Sequence, residues 1–150
     1  MLRIAALLAL VLTAGCSAHA TSRKKLAEAV NTVNDAARWG RVGTLTAAIE
    51  PQYWPRFLES RRDWGDTIQL ADAEVLEVQM ASGEQGAVAV ITYSWYELST
   101  MTLHTTVVQQ RWQRVEDDFM LSDEQVVKGD AGLFARAIDQ DAGGETAPAG

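Results

Sequence analysis

The chain has 150 residues, 47% of them hydrophobic, with five tryptophans and a formal charge of −7. That size suits one ordinary domain, the apolar content is too high for a disordered chain, and the acidic balance argues against nucleic acid, which needs a clustered basic surface. A single cysteine excludes an intramolecular disulfide, so the fold must rest on packing.

Met1-Leu2-Arg3 supplies a short positive start, Ile4 to Leu12 an apolar stretch and Thr13-Ala14-Gly15-Cys16 a small-residue end, the three-part layout of an export signal. The apolar run is about half the roughly 20 residues of a spanning helix, so the segment reads as one to be cut away. Ala14-Gly15-Cys16 resembles the lipobox of bacterial lipoproteins, in which small residues precede the cysteine that begins the mature chain. At the third position before the cut the family prefers Leu; here that position is Thr13, with Leu12 one place further out. The resemblance implies a signal peptide over 1–15, acylation of Cys16 with palmitate-type chains, and an address in the cell envelope. There the protein would be held on a bacterial membrane, or, in an organism with two membranes, on the outer one facing the periplasm, because Ser17 rather than Asp follows the cysteine. Each buried methylene contributes about 0.8 kcal/mol, so two or three chains together hold firmly. Ala18-His19-Ala20 is a rival A-x-A site, and a cut there would discard Cys16 and release a soluble secreted or periplasmic protein. Export is common to both.

Residues 16–22 read as a short polar tether. Leu26, Ala29, Val30, Val33 and Ala37 then recur at helical spacing and predict a first helix over 23–38, with Ser22 as N-cap and Gly40 as stop. Val42, Leu45, Ala48 and Ile49 suggest a short second helix ending at Pro51. Pro55 opens a third that carries Phe57, Leu58 and Arg61 and ends at Trp64-Gly65. The basic runs Arg23-Lys24-Lys25 and Arg61-Arg62 read as solvated helix faces, and Trp39, Trp54 and Trp64 as core rivets at helix ends.

From Thr67 the texture turns β-branched and aromatic, broken by short polar turns. Four strands are predicted, over 67–81, 86–98, 102–114 and 119–127. Their connections, Ser82–Gln85, Ser99–Met101 and Glu116–Asp118, are short enough only for antiparallel neighbours. Asp130 can cap a short final helix through Leu133, Phe134 and Ile138, and 139–150, rich in Gly, Ala and Pro from Ala142 on, reads as a disordered tail. The fold class expected is α+β: N-terminal helices packed on a curled, cone-like four-stranded antiparallel sheet with a short C-terminal helix, in one domain over 23–138.

This order is similar to the nuclear transport factor two-like superfamily, which includes ketosteroid isomerase and the polyketide cyclases. Gln110-Arg111-Trp112-Gln113-Arg114, an acidic turn and Phe119-Met120-Leu121 resemble the family's paired final strands. The resemblance implies a cone whose open end can hold a small apolar ligand. The same cone serves enzymes, binding proteins and assembly domains, so function must be argued from the site. Tyr93, Trp95, His104 and Trp112 are the candidate pocket residues, and no catalytic role transfers to any of them.

No nucleophile elbow, phosphate-binding glycine loop, H-E-x-x-H or paired-cysteine motif occurs, so neither a cofactor nor a metal is expected. His104 follows a tight turn and is expected to face Tyr96 or Glu97 across the hairpin, depending on loop register. Glu116-Asp117-Asp118 lacks the spaced oxygens and glycine of a calcium loop and reads as a solvated turn. The reading that results is a lipid-anchored, non-enzymatic envelope module whose partners are the membrane, through Cys16, and an envelope protein or small apolar ligand. The alternative is an isomerase- or cyclase-type enzyme with an apolar pocket.

Overall fold

The computed structural model describes the backbone of residues 2–134 and the side chains of residues 20–134. The side chain of Cys16, positions 135–138 of the expected last helix and the tail 139–150 lie outside the described residues. The elements in order are α1 (Leu2–Arg38), a 3-10 turn (Val42–Thr44), α2 (Trp54–Ser60), β1 (Ile68–Met80), β2 (Gly86–Glu97), β3 (Thr102–Val115), β4 (Asp118–Gly129) and a second 3-10 turn (Ala131–Phe134). The sheet is a meander in the order β1-β2-β3-β4, every pair antiparallel, with α1 packed across it. This is the expected α+β class.

The apolar stripe of α1 is buried as its spacing predicts, with Leu26, Val30, Val33 and Ala37 nearly inaccessible. Each large side chain so buried contributes about 1.5–3 kcal/mol. Gly40, at φ +66, ends the helix: Arg41 N–H reaches the Ala36 carbonyl (2.8 Å) and Gly40 N–H that of Ala37 (3.1 Å), the paired bonds of a glycine-terminated helix. The N-terminal expectation needs correcting. The helix runs through the expected tether, where Ala18 and Ala20 favour helix and no proline interrupts, and Ser22 is an interior residue that accepts a hydrogen bond from Arg114 Nη1 (3.3 Å). Among the described residues no helix is long and apolar enough to cross a membrane.

The expected second helix is realised only as Val42–Thr44. Val42, Gly43, Thr44 and Thr46 are weak helix formers, and the backbone finds a better partner. Ile49 forms a parallel bridge to Leu121, with Glu50 N–H on the Leu121 carbonyl and Leu121 N–H on the Ala48 carbonyl, both 2.9 Å. This covers the start of the β4 edge. Helix α2 carries Pro55 in its first turn, as expected, but stops at Ser60 rather than at Trp64.

The strands match their predicted spans closely, but their pairing is irregular where sequence alone is silent. The β2–β3 ladder is unbroken from Gly86↔Gln113 to Glu97↔Thr102. Both outer ladders slip: Ala71 and Leu76 are extra residues in β1, Ser122 and Val127 in β4. Such bulges bend and twist a strand, and four of them on the two edge strands curl the sheet around α1. They also explain the exposure of Leu76 and Val127, which the extra residue turns out of the alternating pattern.

Candidate functional site

The concave face of the sheet is filled by side chains bonded to one another. Arg61, the residue after α2, has a side chain with no exposed surface, and Glu124 of β4 is almost as deeply buried. Arg61 Nη2 donates to both Glu124 oxygens, at 2.8 and 2.6 Å. Tyr53 hydroxyl (3.1 Å) and Gln110 Nε2 (3.0 Å) donate to the same carboxylate. Gln110 stands opposite Glu124 in the β3–β4 register, which brings the two side chains together. From α1, Asn34 meets Gln110 amide to amide, each Nδ2 or Nε2 donating to the other's oxygen at 3.1 Å, and Tyr93 hydroxyl donates to Asn34 Oδ1. Arg61 was expected on a solvated face; the structure buries it instead. Its position explains why, because Phe57, Arg61 and Trp64 recur at helical spacing, and the chain keeps them on one side after α2 ends.

The guanidinium is boxed by aromatic rings, its carbon lying 3.8 Å from the centroid of Phe57, 4.7 Å from Trp64 and 5.1 Å from Phe134. Burial, the largest single influence, would lower its pKa, but the charge and hydrogen bond of Glu124 together with the Tyr93 and Tyr53 hydroxyls leave it raised. Burial, then Glu124, pushes the hydroxyls of Tyr53 and Tyr93 well above the usual tyrosine range. Both tyrosines are therefore neutral donors. Glu124 already accepts four hydrogen bonds, two at each oxygen, so both carboxylate oxygens are committed within the network. Among the described residues no three His, Cys, Asp or Glu side chains are grouped to hold a metal ion.

The structure brings three of the four candidate pocket residues to one end of the sheet and leaves the fourth at the other. Trp95 and His104 are directly paired and stacked, centroids 4.4 Å apart and planes at 18°. Tyr93, fully buried, packs edge-on against Trp64 at 6.0 Å. Trp112 shares their face of the sheet but lies eight residues along β3 from His104, about 25 Å at strand rise. It is 1% exposed and opposite Ala87.

His104 faces neither Tyr96 nor Glu97, because the β2–β3 loop holds four residues, Leu98–Met101, and sets Trp95 opposite it. Its charged partner is Asp130, with Nδ1 2.6 Å from Oδ2. Asp130 also accepts Gly132 N–H (2.8 Å), the expected cap, and its carbonyl accepts the Thr106 hydroxyl. With Trp64 Nε1 on the Leu133 carbonyl (3.0 Å) and Phe134 stacked on Trp64 at 5.7 Å, these contacts seat the C-terminal turn over the Arg61 box. Trp64 is thus a rivet as expected, and Trp54 stacks on Phe57, but Trp39 is 64% exposed, its indole N–H held by Asp35.

The outer surface carries open depressions. One of about 570 Å³ is bordered by Gln79, Val88, Arg111 and Gln113, and another of about 420 Å³ lies between Arg23 and Ala27 of α1 and Val78–Met80 of β1.

No protein-family model and no curated protein matches the chain. In a crystal structure, the intermembrane space region of chloroplast protein ARC6 is similar at a TM-score of 0.45 and 10% identity, covering 69% of this chain and 94% of that chain.

Proposed function

We propose that this protein is an exported bacterial envelope lipoprotein, anchored through Cys16, whose α+β domain is a non-enzymatic binding or interaction module of the nuclear transport factor two-like kind. The observation that carries the interaction reading is the closed concave face. The acid and the tyrosines that could serve a ligand there are bonded within the network, and Phe57, Trp64 and Phe134 pack around its arginine. A buried network of this kind specifies and rigidifies a scaffold, and what remains for recognition is the surface. Support for the anchor comes from Ala14-Gly15-Cys16 at the end of the apolar run. Metabolic labelling with a fatty acid tests it: wild type takes up label and Cys16→Ala does not. Equal labelling, or a mature N-terminus at Thr21, refutes the anchor and leaves a released protein.

A further inference from the structure

The two ends of the domain differ in character. Where α1 enters, several charged side chains form ion pairs: Lys25 with Asp118 (3.6 Å), and Arg114 with Glu84 (3.5 Å) and Asp117 (3.6 Å). At the other end, reached by the C-terminus of α1 through Arg38–Asp72 (3.1 Å), the β2–β3 hairpin projects Leu98, Met101 and Leu103, exposed by 40%, 67% and 55%. These three large aliphatic side chains fall within six residues of one hairpin, whereas Leu76 with Val78, and Val127, lie apart on opposite edge strands. Met101 holds a left-handed backbone conformation at φ 54, and its N–H is bonded to the Glu97 carbonyl at 2.8 Å, so the tip is a formed turn.

The tip's charges are of one sign. Glu97 accepts the Ser99 (3.1 Å) and Thr100 (3.4 Å) hydroxyls, and Leu98 N–H on the Thr67 carbonyl (2.9 Å) draws the exposed Asp66 alongside. None of the ion pairs among the described residues includes Glu97 or Asp66. We propose that this tip, Leu98, Met101 and Leu103 with the carboxylates of Asp66 and Glu97, docks in an apolar recess edged by lysine or arginine on a partner protein. The proposal rests on the reading of the domain as an interaction module and adds the surface and the chemistry of what it meets. A bilayer is a poorer occupant, because the tip lacks the lysine or arginine of interfacial elements and an anionic leaflet would repel its carboxylates. A second copy is poorer too, since a two-fold tip-to-tip contact sets Glu97 and Asp66 against their own equivalents. A basic-rimmed recess offers aliphatic burial at the centre and opposite charge at the edge, the usual division of an interface.

The test is a photo-crosslinking amino acid at Met101, and separately at Val115 on the opposite end, in the full chain in its native host. The expected result is one discrete protein adduct from position 101, absent from 115. Its yield falls by about tenfold or more when Asp66→Lys and Glu97→Lys are combined, but not with Glu97→Gln alone, which keeps acceptors for Ser99 and Thr100, and the doubly reversed variant still unfolds cooperatively. An adduct to lipid or to a second copy, an adduct indifferent to charge reversal, or no adduct overturns the proposal. Fractionation of the same cells keeps the two readings apart: adduct without membrane association refutes the anchor alone, and membrane association without adduct refutes the tip alone.

Discussion

Removing the carboxylate of Glu124 tests the buried network most directly. Glu124→Ala leaves the Arg61 guanidinium, whose Nε already has no partner, uncompensated beneath Phe57, Trp64 and Phe134. Breaking one side of a buried pair costs about 3–5 kcal/mol. The Tyr53 hydroxyl and the one Gln110 N–H that faced Glu124 lose their acceptor and each add about 1 kcal/mol, for a total of about 5–7 kcal/mol. Since whole domains are stable by about 5–15 kcal/mol, the variant should be near or past unfolding. Glu124→Gln, which keeps shape and one acceptor, gives a measurable intermediate. Arg61→Met combined with Glu124→Leu removes both charges and should cost only about 2 kcal/mol, because apolar replacement of a buried pair is often neutral. Equilibrium urea unfolding of wild type, Arg61→Met, Glu124→Leu and the double variant, followed by tryptophan fluorescence, supplies the four corners of the cycle. A coupling energy of at least about 3 kcal/mol is expected. Additive single and double substitutions, or a Glu124→Ala cost below about 1 kcal/mol, would show that the carboxylate is not committed to Arg61.

The raised pKa values of Tyr53 and Tyr93 predict alkaline sensitivity. Both hydroxyls stay protonated in the fold but ionise above about pH 10 once unfolded, so their contribution is complete below that pH and declines above it, by about 1.4 kcal/mol per pH unit each. Stability measured from pH 8 to 11 should bend downward near about pH 10, and Tyr93→Phe should halve the slope; an unchanged slope contradicts the burial argument. Trp112→Ala should cost about 3–5 kcal/mol in the same urea assay, whereas Met101→Ala at the exposed tip should stay within about 0.5 kcal/mol. Gly129 sits at φ +89 and an added Cβ would lie 2.2 Å from the Thr105 carbonyl oxygen, while Gly40 at φ +66 has open space. Gly129→Ala should therefore lower the melting temperature clearly more than Gly40→Ala, and equal effects would refute the clash.

Local chemistry in the sequence determined the strands and the packed helix face, though not the second helix: glycine and polar turns bounded four strands within a few residues, and the Leu26–Ala37 stripe located the packed part of α1. Alternation along β3 also placed Thr106, Val108, Gln110 and Trp112 on one face, so Gln110 was a legible candidate for the interior. Tertiary structure decided what period alone cannot encode. Strict alternation from Phe119 and Leu121 points Asp123 inward, but the bulge at Ser122 shifts the count by one and delivers Glu124 to Arg61. A fourth residue in the β2–β3 loop likewise moved His104 from Tyr96 to Trp95, and the C-terminal turn supplied its Asp130. The physical reason is common to all three: a side chain's face and partner follow from the register between segments distant in sequence, and register is settled by the packing energy of the whole sheet rather than by either strand's own residues.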